Sequence, residues 1–189
     1  MNNPLLSDDL LPKFEQLRVE HMEEAIDQIL SDNRVQIADL AGQEDPTWDT
    51  LAQPMQALDD RLSNAWSVIS HLNGVMNTDE LRKVYKNCLE KLTEYSTELS
   101  QNETLCAAYK KLAERPDFNE LSEAQRKSVE NILRDFHLGG VDLPEAQKKQ
   151  YAELSRELAE LSNKYSDNVL DATQHWYKHI TDIEQLAGL

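Results

Sequence analysis

Two histidines four residues apart, in His175-Trp-Tyr-Lys-His179, form the one spacing in this chain that could hold a metal ion. On a helix, positions i and i+4 share a face, and two imidazoles there can bind one zinc ion. Hydrolysis at such a site also needs a carboxylate directly after the first histidine, to take a proton from zinc-bound water. Trp176 occupies that position. The base is missing, so packing or plain exposure accounts for the pair more simply than metal binding. His21, His71 and His137 stand apart, with no partner pattern around them.

Other chemistry is equally thin. There is no G-x-S-x-G elbow, phosphate loop, dinucleotide fingerprint or catalytic cysteine signature. Acidic pairs such as Asp8-Asp9, Glu23-Glu24 and Asp59-Asp60 suit solvated helix faces. Cys88 and Cys106 lack metal-ligand spacing and read as small apolar core residues rather than a disulfide. The residues therefore supply no catalytic, metal-binding or cofactor-binding set.

Charge narrows the partners. Acidic residues number 35 against 19 basic, and a net charge of −16 repels a phosphate backbone unless basic residues cluster. The densest basic group, Lys148-Lys149, lies among acids, so nucleic acid is excluded as a partner. No apolar run approaches the roughly 18 residues a membrane span needs. The first residues lack a basic stretch leading into an apolar one, as a signal peptide would have. No membrane partner is expected, and the cytoplasm is the expected compartment.

The elements that would position any site are helical. Residues 1–20, with Pro4 and Pro12, read as an irregular segment that docks on the body through Phe14 and Leu17. From His21, the spacing of Met22, Ile26, Ile29, Leu30, Ile37 and Leu40 predicts a helix closed near Gly42. Thr47 is placed to cap a second helix with a heptad-like seam of Leu51, Met55, Leu58, Leu62, Ala65, Ile69 and Leu72. Pro54 requires that helix to start late or kink, and Asn73-Gly74 reads as its stop or bend.

Thr78 opens a third helix with a second seam, Leu81, Tyr85, Cys88, Leu92, Tyr95 and Leu99. A shorter fourth carries Leu105, Tyr109 and Leu112 and closes at Arg115-Pro116. Ser122 to Gln125 is a capping box for a fifth, with Val129, Ile132, Leu133 and Phe136. After Gly139-Gly140, Pro144 begins a long sixth helix with Tyr151, Leu154, Leu158, Leu161, Tyr165 and Val169, all expected in the core. Short links favour antiparallel neighbours. The expected architecture is all-α, an antiparallel bundle of about six helices: a helical domain over 21–172, then the start of a further segment over 173–189. Leu186-Ala-Gly-Leu189 is still apolar, which suggests a cut through a larger protein.

The series Phe136-His-Leu-Gly-Gly-Val-Asp-Leu-Pro-Glu-Ala-Gln147, then Tyr151-Ala-Glu-Leu-Ser-Arg-Glu-Leu-Ala-Glu-Leu and Tyr165-Ser-Asp-Asn168, resembles a segment of the thimet-type zinc oligopeptidases, peptidase family M3. Upstream, Phe14-Glu-Gln-Leu17, Glu20-His21, Trp48 and Ala65-Trp-Ser-Val-Ile-Ser-His-Leu-Asn-Gly74 are similar too, and the likeness is greatest to the bacterial oligopeptidase A branch. The resemblance implies the N-terminal part of a larger, two-lobed helical peptidase that cleaves short peptides, forming one wall of its substrate channel. It also implies that zinc and the H-E-x-x-H helix belong to a C-terminal catalytic region, which is the expected partner. His175 and His179 come too early in the series to be that motif. By itself the chain is expected to be inactive and to self-associate through apolar surface meant for the missing part. The alternative is a stand-alone helical module that binds peptides or proteins.

Overall fold

The computed structural model describes residues 3–7, 9, 11–174 and 176–188. Six α-helices carry the fold: α1 (Glu20–Ala41), α2 (Gln53–Val75), α3 (Asp79–Ser100), α4 (Glu103–Ala113), α5 (Glu123–Leu138) and α6 (Glu145–Gln174). There is no β-strand among the described residues. The all-α expectation holds.

Capping explains most helix starts. Thr78, Asn102 and Ser122 each accept a hydrogen bond from a backbone N–H in the first turn of α3, α4 and α5. Ser122 and Gln125 form the reciprocal pair expected of a capping box, which satisfies two orphan donors at once. Thr47 also caps, but it opens a wide π-turn, Trp48–Ala52, and α2 proper begins only afterwards. That turn settles the position of Pro54. It falls in the first turn of α2, where its missing N–H costs nothing.

The expected stop at Asn73-Gly74 is not there. Helix α2 runs through both residues to Val75. Asn77 ends it instead, with φ of 42° and its side-chain amide donating to the carbonyl of Asn73 at 2.8 Å. Asparagine tolerates the left-handed region and can cap a neighbouring carbonyl.

Helices α1, α2 and α3 pack up-down-up around an aliphatic core. Ile26, Ile29, Leu51, Ile69 and Cys88 are fully buried there, and each large aliphatic removed from water contributes about 1.5–3 kcal/mol. Trp66 on α2 stacks on Tyr85 of α3 with ring centroids 4.8 Å apart. Buried Asn33 of α1 reaches toward the Leu58 carbonyl of α2 and the Tyr95 hydroxyl of α3, tying the three together. Helix α4 buries Leu105, Tyr109 and Leu112 against α1 and α5, and Val129 and Phe136 of α5 complete that end. The seams of α2 to α5 are thus core. The N-terminal segment lies against this body: Asn3 donates to the His21 carbonyl at 2.8 Å, and Leu17 is buried.

Helix α6 departs from the expected pattern. It packs on α3, but Leu154, Leu158, Leu161, Tyr165 and Val169 face solvent. The side turned to α3 carries Ala152, Ser155, Ala159 and Asn163 instead, all partly buried. Successive residues rotate by about 100° around a helix, so the two sets lie about a third of a turn apart. What orients α6 is polar. At its start, Lys148 is buried and pairs with Glu103, while its carbonyl accepts from the Gln101 side chain. Near its end, Asp171 receives both guanidinium nitrogens of Arg82, at 2.5 and 3.1 Å. These links, from the C-terminal end of α3 to the start of α6 and from the start of α3 to the end of α6, make the two helices antiparallel.

The turn between α5 and α6 sets this course. A β-carbon at Gly139 would come within 2.5 Å of the Ser100 β-carbon, so only glycine lets the turn lie on the end of α3. Gly140 takes φ of 88°, reversing the chain, and Val141 is buried beneath it. Leu143 is partly covered, whereas Leu138 is exposed. Gly140→Ala is expected to destabilise the fold by about 1–2 kcal/mol, the usual penalty for a β-carbon in this backbone region. A urea midpoint equal to that of the wild type would show that the turn reverses without the left-handed residue.

Candidate functional site

Two of the concave surfaces beside α6 lie along its first half. The first lies between α3, α5 and α6 and is rich in hydroxyls, including Thr93, Thr97, Ser100 and Ser155. Hydroxyls in a cleft invite the idea of a nucleophile, but three of these are committed to their own helix. Thr93 donates to the Leu89 carbonyl at 2.8 Å, Thr97 to the Thr93 carbonyl at 2.9 Å, and Ser100 to the Thr97 carbonyl at 3.0 Å. Nucleophilic catalysis needs a base to take the hydroxyl proton. No histidine lines the cleft.

The second surface runs between α1, α3 and α6 and is acidic, with Glu23, Glu90, Glu94, Glu98 and Glu153 opposed by Lys91 and Arg156. Heptad spacing on α1 and α3 brings these groups to facing positions. Lys91 bridges Glu23 at 2.8 Å and Asp27 at 2.6 Å, and Arg34 meets Glu98 at 2.9 Å. The hydrogen bond from the Lys91 ammonium, followed by that from the Asn87 amide, holds the Glu23 carboxyl below its ordinary value of 4.5. This is an ion-paired wall, with the Glu23 carboxyl kept ionised by its partners. It is suited to repelling or attracting charge and not to giving up a proton.

Of the candidate metal pair, only His179 falls among the described residues. His175 lies outside the described residues, and α6 ends at Gln174. His179 is exposed in a non-helical stretch, so the shared helix face that an i, i+4 pair requires is absent at that residue. No group of three His, Cys, Asp or Glu residues able to hold a metal occurs among the described residues. The described residues therefore offer no zinc site on which a step could be built. Both cysteines are buried, and burial pushes the Cys88 thiol up to about 12, far from the thiolate a reactive cysteine needs. His137 pairs with Asp142 at 2.9 Å beside the glycine turn, a contact between residues five apart that no spacing rule singled out.

The relatives of the chain give its family. Residues 26–148 match the family model described as Neurolysin/Thimet oligopeptidase, N-terminal domain. The chain belongs to the thimet oligopeptidase family. It is 43% identical over 189 residues to oligopeptidase A of Haemophilus influenzae, covering all of this chain and 28% of that protein. It is also 43% identical over 190 residues to oligopeptidase A of Escherichia coli, again all of this chain and 28% of the relative. A probable cytosolic oligopeptidase A of Arabidopsis thaliana is 33% identical over 188 residues, with 27% of its length covered. The chain thus spans little more than a quarter of the length of these curated relatives. No helix among the described residues is long and apolar enough to cross a membrane.

The pH dependence of the ion-paired wall follows from Glu23. Its carboxyl is held low in the folded chain, so the stabilisation is complete above the ordinary value of 4.5 and is lost as pH falls through the lowered one. Lys91→Gln is expected to lower the urea midpoint near neutral pH, with the gap to wild type closing near pH 3. A gap that stays constant across that range would show that the lysine acts through packing alone.

Proposed function

We propose that this chain forms the N-terminal helical portion of a cytoplasmic zinc oligopeptidase and supplies one wall of the channel through which short peptides reach the catalytic region. The observation that carries this reading is the 43% identity to oligopeptidase A across the whole of the chain. The match of residues 26–148 to an N-terminal domain gives its place within such an enzyme.

The chemistry supports the same division of labour. Hydroxyls bound to their own backbone, thiols pushed toward the protonated form and an ion-paired acidic face all suit a surface that guides and excludes. Zinc-assisted hydrolysis is assigned to the C-terminal catalytic region of the same protein, which is the partner this portion serves. Rigid helical walls limit access by size, so substrates are short and unfolded peptides.

Two assays test the reading. The purified chain with added zinc is expected to leave a fluorogenic peptide intact. Escherichia coli oligopeptidase A carrying this chain in place of its matched N-terminal stretch is expected to cleave that peptide, and chelator is expected to stop it. Turnover by the chain alone, blocked by chelator, would overturn the proposal, and so would a folded but inactive chimera.

A further inference from the structure

Five large apolar side chains of α6 lie on a face that no other described residue covers. Leu154, Leu158, Leu161, Tyr165 and Val169 are 57, 66, 56, 70 and 45% exposed. At 1.5 Å per residue this stripe is about 22 Å long. The helix end does not close it off in sequence, because Trp176, Tyr177 and Ile183 are also 73, 85 and 80% exposed. Single exposed apolar residues need no explanation, but a continuous helical stripe marks a surface that another element covers.

Its position is informative. The N-terminal domain match stops at residue 148, in the first turn of α6. The helices before that point bury their apolar seams, whereas the one buried residue of α6 is Lys148 itself. Two facts select the occupant. The relatives hold nearly three-quarters of their length outside this matched portion, and the matched portion is their N-terminal domain. One flank of the stripe carries Glu153, Glu157 and Glu160 against Lys164, so a second copy of this chain would bring a net acidic rim to another, on top of its net charge of −16.

We infer that the Leu154–Leu158–Leu161–Tyr165 face of α6 is the docking surface for the catalytic region of the same polypeptide, which would meet it with an apolar surface rimmed by basic side chains. This rests on the oligopeptidase reading above. In the enzyme, α6 is then a two-sided strut. Its small polar side sits on α3 and its leucine side holds the catalytic region, so α3 and that region are separated by one helix diameter.

The test compares one double variant, Leu158→Lys with Leu161→Lys, in two settings. In the chain alone both side chains are more than half exposed, and the thermal midpoint is expected to stay within a degree or two. In the Escherichia coli chimera the same variant is expected to lower the midpoint by several degrees and to speed hydrogen exchange along α6. Leu158→Ala, which adds no charge, is expected to act in the same direction by less. A chimera that cleaves peptide but is indifferent to all three substitutions overturns the docking surface and leaves the oligopeptidase reading standing. An inactive chimera brings down both. A wild-type chain that sediments as a dimer, with the double variant monomeric and the chimera unaffected, would assign the stripe to a second copy and overturn the inference.

Discussion

The arrangement of this chain depends on one close approach, that of Gly139 to the end of α3. With no side chain there, the turn after α5 can press against Ser100, where a β-carbon would lie 2.5 Å from another carbon. Gly140 then turns the backbone through a region that other residues enter only with strain. The result is a long helix sent back along α3 and not away from the body. Everything that α6 offers, on either side, follows from that direction.

Helix α3 consequently works on two faces with different chemistry. Toward α1 and α2 it presents Leu81, Cys88 and Tyr95, which are buried and gain their stability from removal of apolar surface. Toward α6 it presents groups that meet alanine, serine and asparagine, and the alignment there is held by Lys148 with Glu103 and by Arg82 with Asp171. Such charge-assisted contacts, partly open to water, contribute less energy than burial but are directional. They fix which side of α6 looks outward. An apolar contact of the same size would have turned the leucines inward.

The same economy shows in the polar groups. Thr93, Thr97, Cys88 and Glu23 are each tied to a surrounding that lowers reactivity: a carbonyl of the same helix, an apolar pocket or a lysine. The shape of the chain is what it brings to a thimet-family enzyme. Its acidic flank and its leucine stripe are surfaces for contact, one charged and one apolar, on opposite sides of a single strut.

How far the sequence could be read divides along physical lines. Helix starts were legible from Thr78, Ser122 and Gln125, because a cap acts within four residues. The seams of α2 to α5 were legible because several apolar stripes at helical spacing bury one another. The stop of α2 was missed: Asn73-Gly74 looked like a break, but the carbonyls there still had partners and Asn77 supplied the cap. His175 and His179 could be weighed only as a spacing, since a shared face exists only where a helix continues, and α6 stops at Gln174. By itself the sequence determined the all-α class, the family and the absence of a recognisable catalytic motif, since local patterning and shared residues carry these. Only the tertiary structure decided that the leucine seam on α6 faces outward. Periodicity says that one side of a helix is apolar, but the contacts at Ser100, Glu103 and Arg82 decide which side meets a neighbour.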